Sequence, residues 1–528
     1  HLRGWPDRIN AAEALLGGAL AAGHGPRDAF HFLDGSWSFA ELHDRVERIA
    51  RVLVDDFGLV PGDRVLLRSR NTPMLAACWL AVLKAGGICV TTMPLLRAGE
   101  LGFILERVRV RFALAELDLA DELEKAHAGC AGLERVALFT PLGDGRREDA
   151  DLDRRANAAE PWRGWVATAA DDIALITFTS GSTGRPKAAA QFHRDILASA
   201  VSMPQVFPVR RDEVICGSPT MAFTFGLSSF LLFPLRYGAA AALVPAPTAE
   251  HILEAMERRR VTSLYAVPTC YRSLLPWLER HDLSALRSCA SAGEHLQPAL
   301  WQEWLERTGI RIANGVGATE FMSHFLAEIP AVERPGSAGR VVPGYSARII
   351  DDQGRPLPAG ETGLIAVRGP TGCRYLDDPE RQRLFVRDGW NVTNDLFRVD
   401  DDGFFWFADR ADDMIVSSGY NISPQEVERV IVQHPAVAQC AVVGVPDPVR
   451  GKLVRACVVL KDGELGDDAM RRSIQSFVKD SVAPYKYPRD VQFYIDLPKT
   501  PTGKIQRFRL REGEPETATA QPDGSCCR

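Results

Sequence analysis

Short apolar runs alternate with stretches in which apolar residues recur at helical spacing along most of the chain before about Gly339. Residues 29–39 read as a hairpin turning at Asp34-Gly35, and Ser38 with Glu41 forms a capping box for a helix reaching about Val54. A strand at 64–67, a helix at 73–85 closed by Gly86-Gly87, and a strand from Ile88 follow. Further strands at 174–178, 214–216, 240–244, 263–267, 287–290 and 310–313 are separated by helical stretches such as 252–259, 271–280 and 300–308. This alternation predicts an α/β fold of helix-covered, mostly parallel sheets. After about Gly339 short strands with turn signals take over (347–350, 364–367, 404–407), which predicts a β-rich subdomain at about 340–407. Beyond Arg410 a compact α+β unit begins, with Ser423, Pro424 and Glu426 set as N-cap, first helical residue and capping-box partner. Residues 512–528 are polar, carry proline and are predicted to be disordered.

Composition changes this picture mainly by exclusion. The 528 residues, 46% apolar and 25% charged, suit a folded chain of about three to four structural units. Sixty-two basic against 68 acidic residues leave a charge of −6, which excludes a nucleic-acid footprint but not a local basic site for a phosphorylated ligand. The 11 cysteines include no CxxC pair, and Cys78, Cys89, Cys289 and Cys457 sit in apolar runs as reduced core residues. The uncharged run 214–235 is broken by Gly217, Pro219, Gly226 and Pro234, so it reads as buried core and not as a membrane span. The first residues show no basic stretch followed by an apolar run, and the expectation is a cytoplasmic protein with no membrane partner.

Candidate chemistry lies in four stretches. In the first, an apolar strand runs into Thr179, Ser180, Gly181, Ser182, Thr183 and Gly184, with Lys187 after Pro186. Glycines let backbone N–H groups approach an anion, hydroxyls donate, and the lysine adds charge, which together make a polyphosphate cradle. Pro186 stands where a Walker A loop needs its second glycine, and a flexible surface loop is the plainer alternative. In the second, Asn314 to Glu320, Gly315 and Gly317 permit close approach of a flat ligand, Thr319 can donate and Glu320 can hold a divalent cation. In the third, 389–395, Asp395 can accept from two ribose hydroxyls. The fourth, 498–507, puts Lys504 after a Thr-Gly turn, where a loop could swing it into a cleft; a lone lysine there is otherwise solvated.

Taken together and in this order, the stretches resemble the adenylate-forming superfamily of acyl-CoA synthetases, peptide-synthetase adenylation domains and luciferases. Residues 179–187 match its phosphate loop, Val316-Gly-Ala-Thr-Glu320 its Tyr-Gly-x-Thr-Glu, 389–395 its Gly-Trp-x-x-Thr-Gly-Asp with Asn394 for glycine, and 409–416 its Gly-Arg-x-Asp-Asp-x-Ile-Lys. The resemblance implies an N-terminal adenylation domain over 1–411 and a small mobile lid domain over 412–511. It implies ATP between them, with phosphates on 179–184 and Lys187, adenine near Ala292, Gly293, Glu294, Asn314, Gly315 and Val316, and Phe407 and Thr319 beside the nucleotide. Asp395 and Arg410 would hold the ribose, and Glu320 would hold Mg2+. Lys504, Thr183 and Glu320 would be catalytic: a carboxylate attacks the α-phosphorus while Lys504 neutralises the growing charge. Rotation about Asp412 would then present the Ser418-Gly419 strand, where coenzyme A reaches the acyl-adenylate. The sequence departs from the family at Val416, Asp409, Ala188 and Gln191, and leaves His193 reading as a satisfied core histidine.

Residues 92–97, 219–226, 267–269 and 410–422 are most similar to benzoate- and 2-aminobenzoate-CoA ligases. In that branch the acyl pocket is lined by the segment here carrying Phe223, Phe225 and Gly226, and by residues just after Glu320. Ser323 and His324 would address a polar ring substituent such as an ortho amine. The implied function is an AMP-forming aryl-CoA ligase whose small-molecule partners are an aromatic acid, ATP and coenzyme A. Two alternatives keep the adenylation: a stand-alone enzyme loading a carrier protein, and a synthetase for a non-aromatic acid. Thr183, Glu320, Asp395 and Lys504 speak against a nucleotide-binding protein without catalysis. No G-x-S-x-G supports a serine esterase. A homodimer is left open.

Overall fold

The structure, a computed structural model, describes residues 5–32, 34–179, 186–328, 334–411, 413–498 and 505–512. The chain divides into two compact units, one built from residues up to Thr179 and from Lys187 to Ala411, the other from residues after Asp412.

Two large sheets dominate the first unit. Among the described residues one has seven strands, in the spatial order Arg374–Tyr375, Lys187–Phe192, Ile173–Thr179, Ile88–Thr92, Arg64–Arg68, Phe112–Glu116 and Arg135–Phe139. Ile173–Thr179 pairs in parallel with Ile88–Thr92, and the strands beyond follow suit. Lys187–Phe192 and Arg374–Tyr375 turn one end antiparallel. The other sheet has nine strands, with a parallel centre of Ile312–Ala318, Ser288–Ser291, Ser263–Ala266, Val214–Gly217, Ala240–Ala242 and Asp28–Phe32. Its ends are antiparallel: Ser323–Ala327 and Arg340–Val341 on one side, Gly35–Ser38 on the other.

The parallel centres follow from the sequence. Strands such as Ile88–Thr92 are buried at every position, as a strand covered on both faces must be. The helix Pro73–Lys84 is buried along its whole length, which its all-apolar face-to-face composition requires. The hairpin at 28–38 forms, and Ser38 caps the helix Phe39–Arg51 through the predicted reciprocal bonds with Glu41. The uncharged run from Val214 becomes a strand and then the buried helical turns Thr224–Leu227, Ser228–Leu232 and Phe233–Tyr237. Among the described residues no helix is long and apolar enough to cross a membrane, and all nine described cysteines are free and buried. The β-rich part is an antiparallel sheet of Ser346–Ile350, Thr362–Arg368, Trp390–Val399 and Val386–Arg387, with Phe405–Arg410 on the far side of Trp390–Val399.

In the second unit the strands Tyr420–Ile422, Ile415–Ser417, Gly451–Leu460 and Val437–Asp447 form a sheet, with Asp490–Phe493 parallel to Gly451–Leu460. Helices Pro424–Ile431 and Asp468–Ser481 bury Val427, Ile431, Ile474 and Val478 in its core. Ser423 is the N-cap and Pro424 the first helical residue, but the capping box expected there does not form. Ser423 Oγ donates to Gln425 Oε1, and the Glu426 carboxylate accepts instead from the buried Lys486 ammonium at 2.7 Å. A full ion pair outcompetes a single backbone N–H for that carboxylate. The expected tail at 513–528 lies outside the described residues.

Candidate active site

Thr179 and Lys187 face each other in the antiparallel register of Ile173–Thr179 and Lys187–Phe192, so the intervening loop springs from a paired hairpin base. Ser180, Gly181, Ser182, Thr183 and Gly184 lie outside the described residues, as do Asp412 and Lys504.

Glu320 is placed by a reversal. The strand Ile312–Ala318 ends in the single turn Thr319–Phe321, Met322 takes the left-handed conformation at φ 54°, and Ser323–Ala327 returns antiparallel. Glu320 Oε1 accepts from Tyr375 Oη at 2.8 Å and from Thr179 Oγ1 at 3.4 Å. Burial, and next the Glu320 charge, push the Tyr375 phenol well up, so it stays a protonated donor. Gln191, fully buried, donates to the Thr319 carbonyl at 2.9 Å and steadies the turn that carries the glutamate. Glu320 and the Thr179 hydroxyl are hard oxygen donors of the kind Mg2+ takes. Among the described residues no three His, Cys, Asp or Glu gather into a metal cage. A single carboxylate completed by substrate phosphates is the usual arrangement for this ion, so the residues fit it.

Asp395 and Arg410 are cross-strand partners, and Arg410 Nη1 donates to Asp395 Oδ1 at 2.7 Å. Phe407, three residues before Arg410, stacks on His295 with ring centroids 5.9 Å apart, which brings this strand to the turn of Ala292, Gly293 and Glu294. The Glu294 carboxylate there accepts from Thr269 N at 3.0 Å and Thr269 Oγ1 at 2.8 Å.

Three expectations change on contact with the structure. Gly315 and Gly317 are required by the returning strand: a Cβ would stand 2.8 Å from the His324 ring at Gly315 and 2.5 Å from the Ser323 carbonyl at Gly317. Asn314, just before them, gives its N–H to Glu328 and its Nδ2 to the Ser337 carbonyl, while its buried Oδ1 has no partner among the described residues. Ser323 and His324 cannot serve one ring substituent, because adjacent strand residues point to opposite faces. His324 meets the Phe225 ring edge-on at 5.5 Å, while Ser323 lies on the side of Tyr345. Ser418-Gly419 is not a strand but the hairpin turn between Ile415–Ser417 and Tyr420–Ile422, at φ 49° and 82°. Arg450 holds that turn by accepting from Ser418 N and donating to Ser418 Oγ.

His324 is buried and its pKa falls to about 4, so the imidazole is neutral. Phe225 extends the aromatic contact to buried Tyr265 at 6.4 Å, and the buried Gly226 lies against the Thr220 backbone. Phe223 is half-buried at the start of the Thr224–Leu227 turn. Val316 is half-buried in its strand. His193 accepts from Ala11 N at 3.1 Å in the core, as its lone position suggested. Sequence reasoning missed Tyr375 and the positioning role of Gln191. Tyr375 sits in a two-residue strand 55 positions from Glu320, and no local pattern marks it.

Comparison with known proteins bears on all of this. The model of the AMP-binding enzyme family matches residues 19–374, and that of the AMP-binding enzyme C-terminal domain matches 426–504. A benzoate–CoA ligase from Thauera aromatica is 34% identical over 512 residues, covering 96% of each chain. The anthranilate CoA ligase AuaEII, solved in complex with anthranoyl-AMP, superposes with a TM-score of 0.75 at 31% identity, covering 97% of this chain and 98% of its own. The amide bond synthetase McbA from Marinactinospora thermotolerans gives 0.86 at 27% identity, covering 95% of this chain and 99% of its own.

Proposed function

The chain belongs to the AMP-binding enzyme family and is an acid–thiol ligase, and we propose that its acid is aromatic, benzoate or 2-aminobenzoate. One observation carries the aromatic reading: the ring of Phe225, set edge-on to a neutral His324 and beside buried Tyr265, offers flat contact surface with a polar edge. The similarity to benzoate and anthranilate ligases supports the same choice.

In the proposed reaction the ATP phosphates lie on residues 179–184 and Lys187. Glu320, with Thr179, would hold Mg2+, whose charge offsets that of the phosphates when bound. Asp395 accepts from the ribose hydroxyls, and Arg410 fixes the carboxylate that does so. A carboxylate oxygen of the acid attacks the α-phosphorus, the α–β P–O bond breaks, and pyrophosphate departs as Lys504 offsets the charge. The coenzyme A sulfur then attacks the acyl carbon, loses its proton and expels AMP. The tight Ser418-Gly419 turn suits a place where the pantetheine arm passes close to backbone.

Pyrophosphate release measured over benzoate, 2-aminobenzoate and hexanoate, followed by product analysis with coenzyme A, tests this. The aromatic acids are expected to lead hexanoate in kcat/KM by roughly tenfold or more, the scale on which pocket contacts discriminate. Equal or faster turnover of hexanoate would overturn the aromatic assignment. A product with a carrier protein or an amine, and none with coenzyme A, would overturn the thiol acceptor.

A further inference from the structure

We propose that Asn71 and Thr91 set the position of the acyl-pocket wall and thereby which acids fit. The inference rests on reading residues 223–226 as that wall. The segment leading into it, between the strand Val214–Gly217 and the turn Thr224–Leu227, has no regular structure, and its buried backbone groups need partners from elsewhere. Those partners come from the other large sheet. Asn71 uses both ends of its amide: Nδ2 donates to the Pro219 carbonyl at 2.8 Å, and Oδ1 accepts from Met221 N at 2.8 Å. Thr91 Oγ1 donates to the Ala222 carbonyl at 3.0 Å. Both side chains are buried. Asn71 is itself anchored, since Glu116 accepts from Ser69 Oγ and Arg70 N on its N-terminal side.

The wall then closes on itself. Gly226 lies so near Thr220 that a Cβ would stand 2.2 Å from the Thr220 carbonyl, and whatever moves 219–222 moves the wall with it. A cavity of about 10 Å³ is lined by Trp79, Thr91, Met221, Ala222, Leu227 and Leu231. With this small gap behind the packed segment, the three hydrogen bonds from Asn71 and Thr91 tie it across to the other side of the cavity. Asn71 and Thr91 are therefore positioning residues that touch no reacting atom.

The test compares Asn71→Ala, the isosteric Thr91→Val and Thr91→Ser in the full chain, by steady-state pyrophosphate release with benzoate, 4-ethylbenzoate and ATP varied in turn. Each tether loss is expected to raise KM for benzoate by roughly fivefold, the worth of one net hydrogen bond. It should hold KM for ATP within about twofold and narrow the preference for benzoate over 4-ethylbenzoate. Thr91→Ser keeps the donor and should restore the benzoate KM. If Asn71→Ala does not fold, Thr91→Val decides alone. KM values for acid and ATP rising together, or an unchanged acid ranking, would overturn the inference. Phe225→Ala separates it from the reading beneath it. If Phe225→Ala raises KM for benzoate and the tether variants do not, only the positioning role fails; if Phe225→Ala also leaves it unchanged, the wall assignment fails with it.

Discussion

Asp195 and Glu328 are pushed up to about 7 and His193 and His324 down to about 4, in each case chiefly by burial. The signs differ. A carboxyl raised in the fold holds an extra proton there, so its contribution to stability is complete below its ordinary value and is lost as the pH rises through 7. A depressed histidine contributes fully above its ordinary value and loses that as the pH falls toward 4. The four therefore work against one another between about pH 4 and 7, and single variants expose what the whole protein hides. Asp195→Asn keeps an acceptor for Phe192 N while removing the titration. Its stability relative to the parent should improve from pH 4.5 to 7.5 by roughly 3 kcal/mol. Tryptophan fluorescence in denaturant reads this cleanly, because every tryptophan precedes Asp412. A gap that stays constant across that range, or moves the other way, would contradict the buried-acid account. At this scale local pattern singles out candidate groups but not the side chains that hold them. Glu320 stood out by its company of glycines and threonine, whereas Tyr375, its closest donor, is an unremarked tyrosine in a strand too short to have a period. The glycines have a second reason that no local pattern shows, since Gly315 and Gly317 also make room for the neighbouring strand.

Among elements, regular pattern was legible and competition was not. Helices with a clear apolar face and strands with unbroken apolar runs fell where periodicity put them. Both large sheets, however, end antiparallel, through pairings such as Arg374–Tyr375 with Lys187–Phe192 that join residues far apart in the chain. The two capping boxes make the point quantitatively. Ser38 and Glu41 exchange both expected bonds, while at the second helix the Ser423 hydroxyl goes to Gln425 and the Glu426 carboxylate to Lys486. Ser38→Ala should cost about 1 kcal/mol, read in the tryptophan-monitored unfolding of the first unit. Ser423→Ala should cost clearly less. Lys486→Met should cost roughly 3–5 kcal/mol, because it strands a carboxylate that is almost buried. Hydrogen exchange of Pro424–Ile431 measures the last two. Equal protection losses for Ser423→Ala and Lys486→Met would show that the cap matters after all.

For the whole molecule, motif order alone separated a large body from a small C-terminal unit, and a charge of −6 left room for a nucleotide at Lys187, Arg410 and Lys504. The acid did not follow from sequence in the same way, because segment 219–226, which we propose as the pocket wall, takes hydrogen bonds from Asn71 and Thr91, more than a hundred residues away in the chain. The chemistry does demand two half-reactions with opposite needs: adenylation wants a cation at the departing pyrophosphate, and thioester formation wants that place clear. Within the second unit the described residues before and after 499–504 are held by named contacts. Gln506 N donates to the Pro498 carbonyl at 2.8 Å, and the Arg507 guanidinium grips Glu428 at 2.8 and 3.0 Å and reaches Asp413 at 3.6 Å. If Lys504 serves the departing pyrophosphate as proposed, its removal should affect one half-reaction only. Lys504→Ala is expected to slow acid-dependent pyrophosphate release at least about a hundredfold, as loss of a transition-state donor does. Thioester formation from supplied acyl-adenylate and coenzyme A should continue at nearly the parent rate. Rapid-quench measurement of the two steps separately decides the matter, and a matching loss in both would remove the division of labour on which the two-unit mechanism depends.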